Sequence, residues 1–244
     1  MTRPSDPSNP PGVVEAIEAR RTAKRFDPDL DLTPSLVERL IALATLAPMP
    51  IPIQPARFLV VRSLANRRKL RGCTFGDSRL TEAPVVVVIL GYLDPIRTDL
   101  EPILRGQVAA GAITPDEGKR LGAMIPRVWS QLGDPVGPSS RAAMMAASTL
   151  ILAAEGFGLA SSWVEVFDRQ QVRAAFGVPD DHAVVALVAL GYPLEQPPFP
   201  GRLPVDRVVY AEHFGQPWPT SRTGEGVLAP EDSEDYDEAS AAPR

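Results

Sequence analysis

Residues 140–168 read SRAAMMAASTLILAAEGFGLASSWVEVFD. From Ser140 to Gly156 the run is rich in Ala, Leu and Met, with no charge between Arg141 and Glu155. That composition predicts one long buried helix whose small side chains allow close packing, with Gly156 placed to end it. Beyond the glycines, "LASSWVEVF" reads as a strand. A helix running through a tight turn into a strand therefore organises the second half of the chain.

Within this stretch "GFGLAS", Gly156 to Ser161, resembles half of a dinucleotide-binding glycine loop. That loop needs a strand before it and a helix after it, so that the helix N-terminus meets a pyrophosphate. The order here is reversed, and the glycines read as a helix stop and a turn. Outward from this point, "VVEAIEARR" (13–21) and "TPSLVERLIALATLA" (33–47) carry apolar residues at helical spacing. The second opens with Thr33 as cap and Pro34 at the first helical position. "RFLVVR", "PVVVVILGY" and "HAVVALVALGY" are short β-branched runs bounded by turn or proline signals. Residues 100–132 predict one or two helices, broken at 111–115. The resulting order, α, α, β, α, β, α, α, α, β, α, β, implies an α/β or α+β sheet with helical cover. No internal repeat is visible.

Composition narrows the function classes. The chain has 244 residues, 44% of them hydrophobic and 23% charged, as in ordinary soluble globular proteins. Its single cysteine, Cys73, excludes an intrachain disulfide framework and any multi-cysteine metal site. His182 and His213 stand far apart, without a carboxylate or Cys at ligand spacing, so no metal is expected. The N-terminus lacks the apolar core of a signal peptide, and the most apolar stretch, 142–154, is too short to span a bilayer. No membrane association and a cytoplasmic location are expected. The net charge of −5 belongs to the tail: from Glu225 onward seven acidic residues face only Arg244, leaving about +1 on the rest. A near-neutral body without a basic, aromatic-lined stripe argues against nucleic acid as partner. Residues 1–12 and 219–244 have the composition of disordered tails, leaving a domain over 13–218.

Two segments carry candidate chemistry. "RRTAKRF" (20–26) concentrates Arg20, Arg21, Lys24 and Arg25 around the hydroxyl of Thr22. Such a cluster is either a solvated basic face or an anion site, because guanidinium forks match phosphate oxygens. "FPGRLP" (199–204) places Arg202 where it could serve the same phosphate. "APMPIPIQPARF" (47–58) has prolines at 48, 50, 52 and 55, which exclude helix and interior strand and leave a stiff apolar loop.

Taken in order, "RRTAKRF", "LAPMPIPIQPARFLVV", "TEAPVVVVILG", "LAAEGFGLASSWVEVFD", "FGVPDDHAVVALVALGYP" and "GRLPVDRVVYAEHFGQPW" resemble the FMN-dependent nitroreductase family over roughly residues 13–218. The resemblance implies an α+β nitroreductase-like fold, with a central, mostly antiparallel sheet flanked by helices. It further implies a homodimer with flavin sites at the interface and hydride transfer from NAD(P)H through FMN to a nitroaromatic, quinone or similar hydrophobic small-molecule acceptor. Carried onto this chain, it places Arg20, Arg21 and Thr22 on the FMN phosphate and ribityl chain, with Arg202 closing on the phosphate. Lys24 and Arg79 fall near the pyrimidine edge, and the backbone of Glu165 faces flavin N5. No side chain is implied as catalytic acid or nucleophile.

By the same resemblance, the loop holding Met49, Pro50, Pro52 and Gln54 reaches the flavin from the partner subunit. The chain departs from the family pattern there: Met49, Pro50 and Pro52 replace two serines and an asparagine, and Val166 stands where a glycine is usual. The departures leave an alternative, a diverged non-catalytic relative that binds FMN weakly or not at all and serves as a binding or partner subunit.

Overall fold

Two runs of aliphatic residues, Val85–Tyr92 and His182–Gly191, form the centre of a four-stranded antiparallel sheet. The computed structural model describes residues 11–49 and 51–219, in two units that divide between Pro197 and Pro198. In chain order the first unit holds α1 (Val13–Ala19), α2 (Pro34–Ala44), β1 (Ala56–Val61), α3 (Leu64–Cys73), α4 (Arg79–Glu82), β2 (Val85–Tyr92) and α5 (Pro95–Thr98). It continues with α6 (Leu100–Ala109), α7 (Pro115–Gln131), α8 (Val136–Gly156), β3 (Ala160–Val164), α9 (Arg169–Phe176) and β4 (His182–Gly191). The sheet order is β1-β2-β4-β3, with every neighbouring pair antiparallel. The expected α+β fold is therefore present, and the expected break at 111–115 separates α6 from α7.

Every residue of β2 is buried, which is why it reads as an unbroken apolar run rather than an alternating one. On one face Val85, Val87, Ile89, Val188 and Leu190 meet α2 and α8. On the other, Val86, Val88, Leu187 and Ala189 meet Leu70 of α3, Leu80 of α4 and Val172 of α9, together with Phe26. A third cluster joins Leu100 and Leu104 of α6 to Ile125 of α7 and to Ile53 of the proline loop.

Helix α8 buries Ala142, Ala143, Ala146, Ala147, Leu150 and Ala154, a stripe at helical spacing that lets it lie close on the sheet. Its N-terminal half is pinned by Ser139, whose Oγ donates to the Tyr92 carbonyl at 2.8 Å. Gly156, expected to stop the helix, is its last helical residue. The left-handed turn falls instead on Gly158, at φ 72°. There the Leu159 amide donates to the Ala154 carbonyl and the Gly158 amide to the Glu155 carbonyl, which satisfies the last orphan acceptors. Helix α2 starts as its sequence predicts, with Thr33 Oγ1 accepting the Leu36 amide and Pro34 in the first turn, a cap worth about 1 kcal/mol.

In the second unit Val205–Arg207 forms a single 3-10 turn, Tyr210 pairs with Pro217, and the Tyr210 and Phe214 rings lie 4.4 Å apart. The predicted tails, 1–12 and 219–244, lie almost wholly outside the described residues, as does Pro50.

Candidate functional site

Strand β3 is an edge of the sheet, and the segment after α1 runs beside it. Thr22 forms a parallel bridge with Ser161, and the Ala23 amide donates to the Ser161 carbonyl at 2.8 Å. Buried Ala23 and Phe26 anchor this segment, while Thr22 and Lys24 stay exposed. Across residues 22–24 the alternation follows from extended backbone, in which successive side chains take opposite sides, and a bend at Lys24 brings Phe26 back to the core.

Arg20 caps α1, and Arg21 Nη1 donates to the carbonyls of Glu18 at 2.6 Å and Arg20 at 3.0 Å. Both arginines act electrostatically on Glu155 in the last turn of α8. Burial pushes the Glu155 carboxyl above its ordinary range, and the two cations pull it only part of the way back. Arg25, by contrast, is tied to Glu82 at 2.9 Å.

Arg79 comes to the same strand from α4. Its Nη1 donates to Ser162 Oγ at 2.7 Å, and its Nε and Nη2 grip Asp77 at 2.9 and 2.6 Å. Ser162 is fully buried, so its hydroxyl is a fixed acceptor. Burial works against the Asp77 charge, but hydrogen bonds from Arg79 outweigh it and hold the carboxyl below its ordinary range. The same pairing raises the Arg79 guanidinium.

Beyond the far end of β3, Glu165 accepts from Trp163 Nε1 at 3.2 Å and lies 4.0 Å from Arg169, and Val166 is 77% exposed. Met49 and Gln54 line a cavity of about 360 Å³, with Phe58, Asp99 and Ala146 among its walls. The Gln54 carbonyl accepts from Arg57 at 2.6 Å, and Arg57 also pairs with Asp99. Pro52 is half-buried. In the second unit Arg202 donates to the Gly201 carbonyl and lies over the Phe199 ring at 5.6 Å.

Within one chain, then, Thr22 lies beside Ser161, Arg20 and Arg21 bear on Glu155 just before β3, Arg79 reaches Ser162 in mid-strand, Lys24 is two residues past the bridge, and Glu165 and Val166 lie past the strand's end. The proline loop leads into β1, the opposite edge of the sheet. Sequence reasoning missed Asp77, Glu155, Ser161 and Ser162. The two serines could have been found as hydroxyls in an otherwise apolar strand. Among the described residues no cluster of three or more His, Cys, Asp or Glu side chains could hold a metal ion, and no helix is long and apolar enough to cross a membrane.

Comparison with known proteins gives this arrangement a lineage. The family model described as "Nitroreductase family" matches residues 17–78 and 139–192, which include the segment beside β3 and β3 itself. A protein of Thermus thermophilus named NADH dehydrogenase is 33% identical over 195 residues, spanning 78% of this chain and 91% of its own. The 5,6-dimethylbenzimidazole synthase of Rhodospirillum rubrum is 33% identical over 199 residues, or 80% and 88%. Among solved structures, a provisionally named nitroreductase of Exiguobacterium sibiricum, in complex with FMN, superposes with a TM-score of 0.79 at 21% identity. It covers 84% of this chain and 99% of that one. With the fold, the family model and close to full-length relatives in agreement, the chain belongs to the nitroreductase family.

Proposed function

We propose that this protein is an FMN-dependent oxidoreductase that passes hydride from NAD(P)H to a hydrophobic small-molecule acceptor, and that it works as a homodimer. The observation that carries the reading is the set of donors beside β3: Thr22 bridged to Ser161, with Arg20, Arg21 and Lys24 on the same segment, and Arg79 bonded to Ser162. Cationic forks and a hydroxyl suit a phosphate with a polyol chain, and a further cation beyond them suits the electron-rich edge of a flavin. The residues present thus fit FMN.

In this reading Arg20, Arg21 and Thr22 hold the phosphate and ribityl chain. Lys24 and Arg79 would serve the pyrimidine edge, and the backbone N–H of Glu165 would serve N5. When bound, the flavin supplies the hydride chemistry, and the chain supplies position and field. A cation at that edge would offset the negative charge that reduction leaves on the ring, Lys24 in full and Arg79 to the extent that Asp77 leaves it uncompensated.

The dimer is part of the same proposal, and the sheet topology supports it. The loop with Met49, Pro52 and Gln54 enters at the edge strand β1, three strand spacings, about 14 Å, from β3. A site that uses both edges draws its loop from a second copy. Lined by Met49 and Pro52, with Gln54 as the loop's one side-chain amide, such a site suits a mainly apolar acceptor. Relatives named as NAD(P)H nitroreductases and NADH dehydrogenase support the electron donor.

The test is the visible absorption spectrum of the purified, untagged protein, with the released cofactor identified by mass. A flavin band near one FMN per chain supports the reading. A colourless protein that also fails to take up added FMN would overturn it in favour of a non-catalytic partner subunit.

A further inference from the structure

We propose that Asp77 is a positioning residue that sets the reduction potential of the bound cofactor, by neutralising and orienting Arg79 at the pyrimidine edge. The inference rests on the FMN reading above. The relevant geometry is the division of the Arg79 guanidinium between two partners. Nε lies 2.9 and 3.2 Å from the two Asp77 oxygens, Nη2 lies 2.6 Å from Oδ2, and Nη1 lies 2.7 Å from Ser162 Oγ. Asp77 Oδ1 also accepts the Arg79 backbone amide at 3.1 Å. The fork is held from both sides and cannot swing freely to meet an incoming charge.

The backbone is bent to place Asp77 there. Phe75 and Gly76 adopt consecutive left-handed conformations, at φ 55° and 92°. For a phenylalanine this costs about 1–2 kcal/mol. The ring gains no packing in exchange, being 83% exposed. What holds the turn is a clasp from α3: the Gly76 amide donates to the Arg71 carbonyl at 3.1 Å, and Arg71 Nε donates back to the Gly76 carbonyl at 3.0 Å. The turn delivers Asp77, whose side chain is 15% exposed, onto the guanidinium. Strain that buys no local packing points to the residue it positions.

The electrostatic consequence is specific. An unpaired guanidinium beside the ring would stabilise the negative charge that arrives with hydride from NAD(P)H. A guanidinium already paired with a carboxylate presents less net charge at the same distance, even though Arg71, clasped to the same turn, also bears on Asp77, so exposed Lys24 carries more of the positive field at that edge. Asp77 therefore keeps the cofactor harder to reduce, and its reduced form a stronger donor to the acceptor, than Arg79 alone would.

The experiment measures FMN stoichiometry and the two-electron potential of the FMN-loaded protein by dye equilibration, for wild type, Asp77→Asn, Asp77→Glu and Arg79→Gln. Asp77→Asn is expected to raise the potential and to tighten reduced FMN relative to oxidised FMN by about tenfold. Asp77→Glu should return the potential most of the way to wild type. Arg79→Gln, which leaves Asp77 uncompensated, should move it the opposite way. A loss of structure alone does not produce shifts of opposite sign. An FMN-loaded Asp77→Asn protein whose potential is unchanged or lower overturns the inference while leaving the FMN reading intact. A wild type that takes up no FMN overturns both. Should Asp77→Asn fail to fold, Arg79→Gln decides: an unmoved or raised potential overturns the inference.

Discussion

Arg79 Nη1 lies 2.7 Å from the hydroxyl of Ser162, a contact between residues 83 apart in the chain that joins α4 to the edge strand β3. Ser162 is fully buried, while the Arg79 side chain is 30% exposed, so the bond is charge-assisted but partly reached by solvent. Hydrogen bonds to charged groups contribute about 1.5–3 kcal/mol when dry, and solvent reduces that here. Ser162→Ala is expected to lower stability by about 1 kcal/mol in urea unfolding. An unchanged midpoint would show that Asp77 alone fixes the guanidinium.

Arg20 and Arg25 lie five residues apart, yet they face different partners. Arg25 is held by Glu82, whereas Arg20 bears on Glu155 near the start of β3. Arg20→Ala should therefore weaken FMN uptake by about ten- to a hundredfold, the loss of one charge-assisted contact, and leave the oligomeric state alone. Arg25→Ala should leave uptake within about twofold. Fluorescence titration with FMN separates the two, and equal effects would remove Arg20 from the proposed phosphate site.

Glu155 should give the site a pH dependence of definite sign. Its carboxyl is raised above the ordinary 4.5, chiefly by burial, so the native state holds that proton more readily than the unfolded chain. Stability from this group is present below 4.5 and declines as pH rises through the raised value. Asp77 runs the other way: lowered from 3.8, it stabilises above 3.8 and loses that contribution as pH falls through its native value. In urea unfolding, Glu155→Gln should therefore lose less stability than wild type between pH 4 and pH 7. Parallel pH profiles would mean that the arginines compensate the burial fully.

The strands and long helices were legible because their signals are local. Thr33 followed by Pro34 announces α2, and the all-aliphatic run of β2 announces a strand buried on both faces. The cluster around Thr22 was visible as a concentration of charge. Asp77 was not, because its pairing with Arg79 depends on a left-handed Phe75 that nothing in "CTFGDSR" announces. The proline loop was legible only as a stiff apolar segment, with no sign of what its isoleucines meet. Ile53 packs on α6 and α7, a contact with no periodic signal because the loop has no regular structure.

Gly191 ends β4 where Pro84 and Phe26 converge. A Cβ there would lie 2.7 Å from Pro84 Cδ and 3.0 Å from the ring of fully buried Phe26. Neither can retreat easily, one being a ring closed on the backbone and the other packed in the core. Gly191→Ala should cost about 2 kcal/mol by overpacking. Because Phe26 also anchors the segment beside β3, FMN uptake should weaken along with the urea midpoint. A neutral substitution would mean that the β4 terminus shifts to make room.

Ile53 is 3% exposed and packs with Leu100, Leu104 and Ile125, in a cluster distinct from the two that cover the sheet. Truncating a buried Ile to Ala costs about 2–5 kcal/mol where the surroundings do not collapse. Since this cluster holds the proline loop to α6 and α7 and not to the sheet, the loss should appear first as local opening. Hydrogen exchange of Ile53→Ala is expected to quicken across 100–131 while the amides of β2 stay protected. Uniform acceleration, β2 included, would show that the helical pair unfolds only with the whole domain. The loop would then be a structural strut whose apolar character owes nothing to an acceptor.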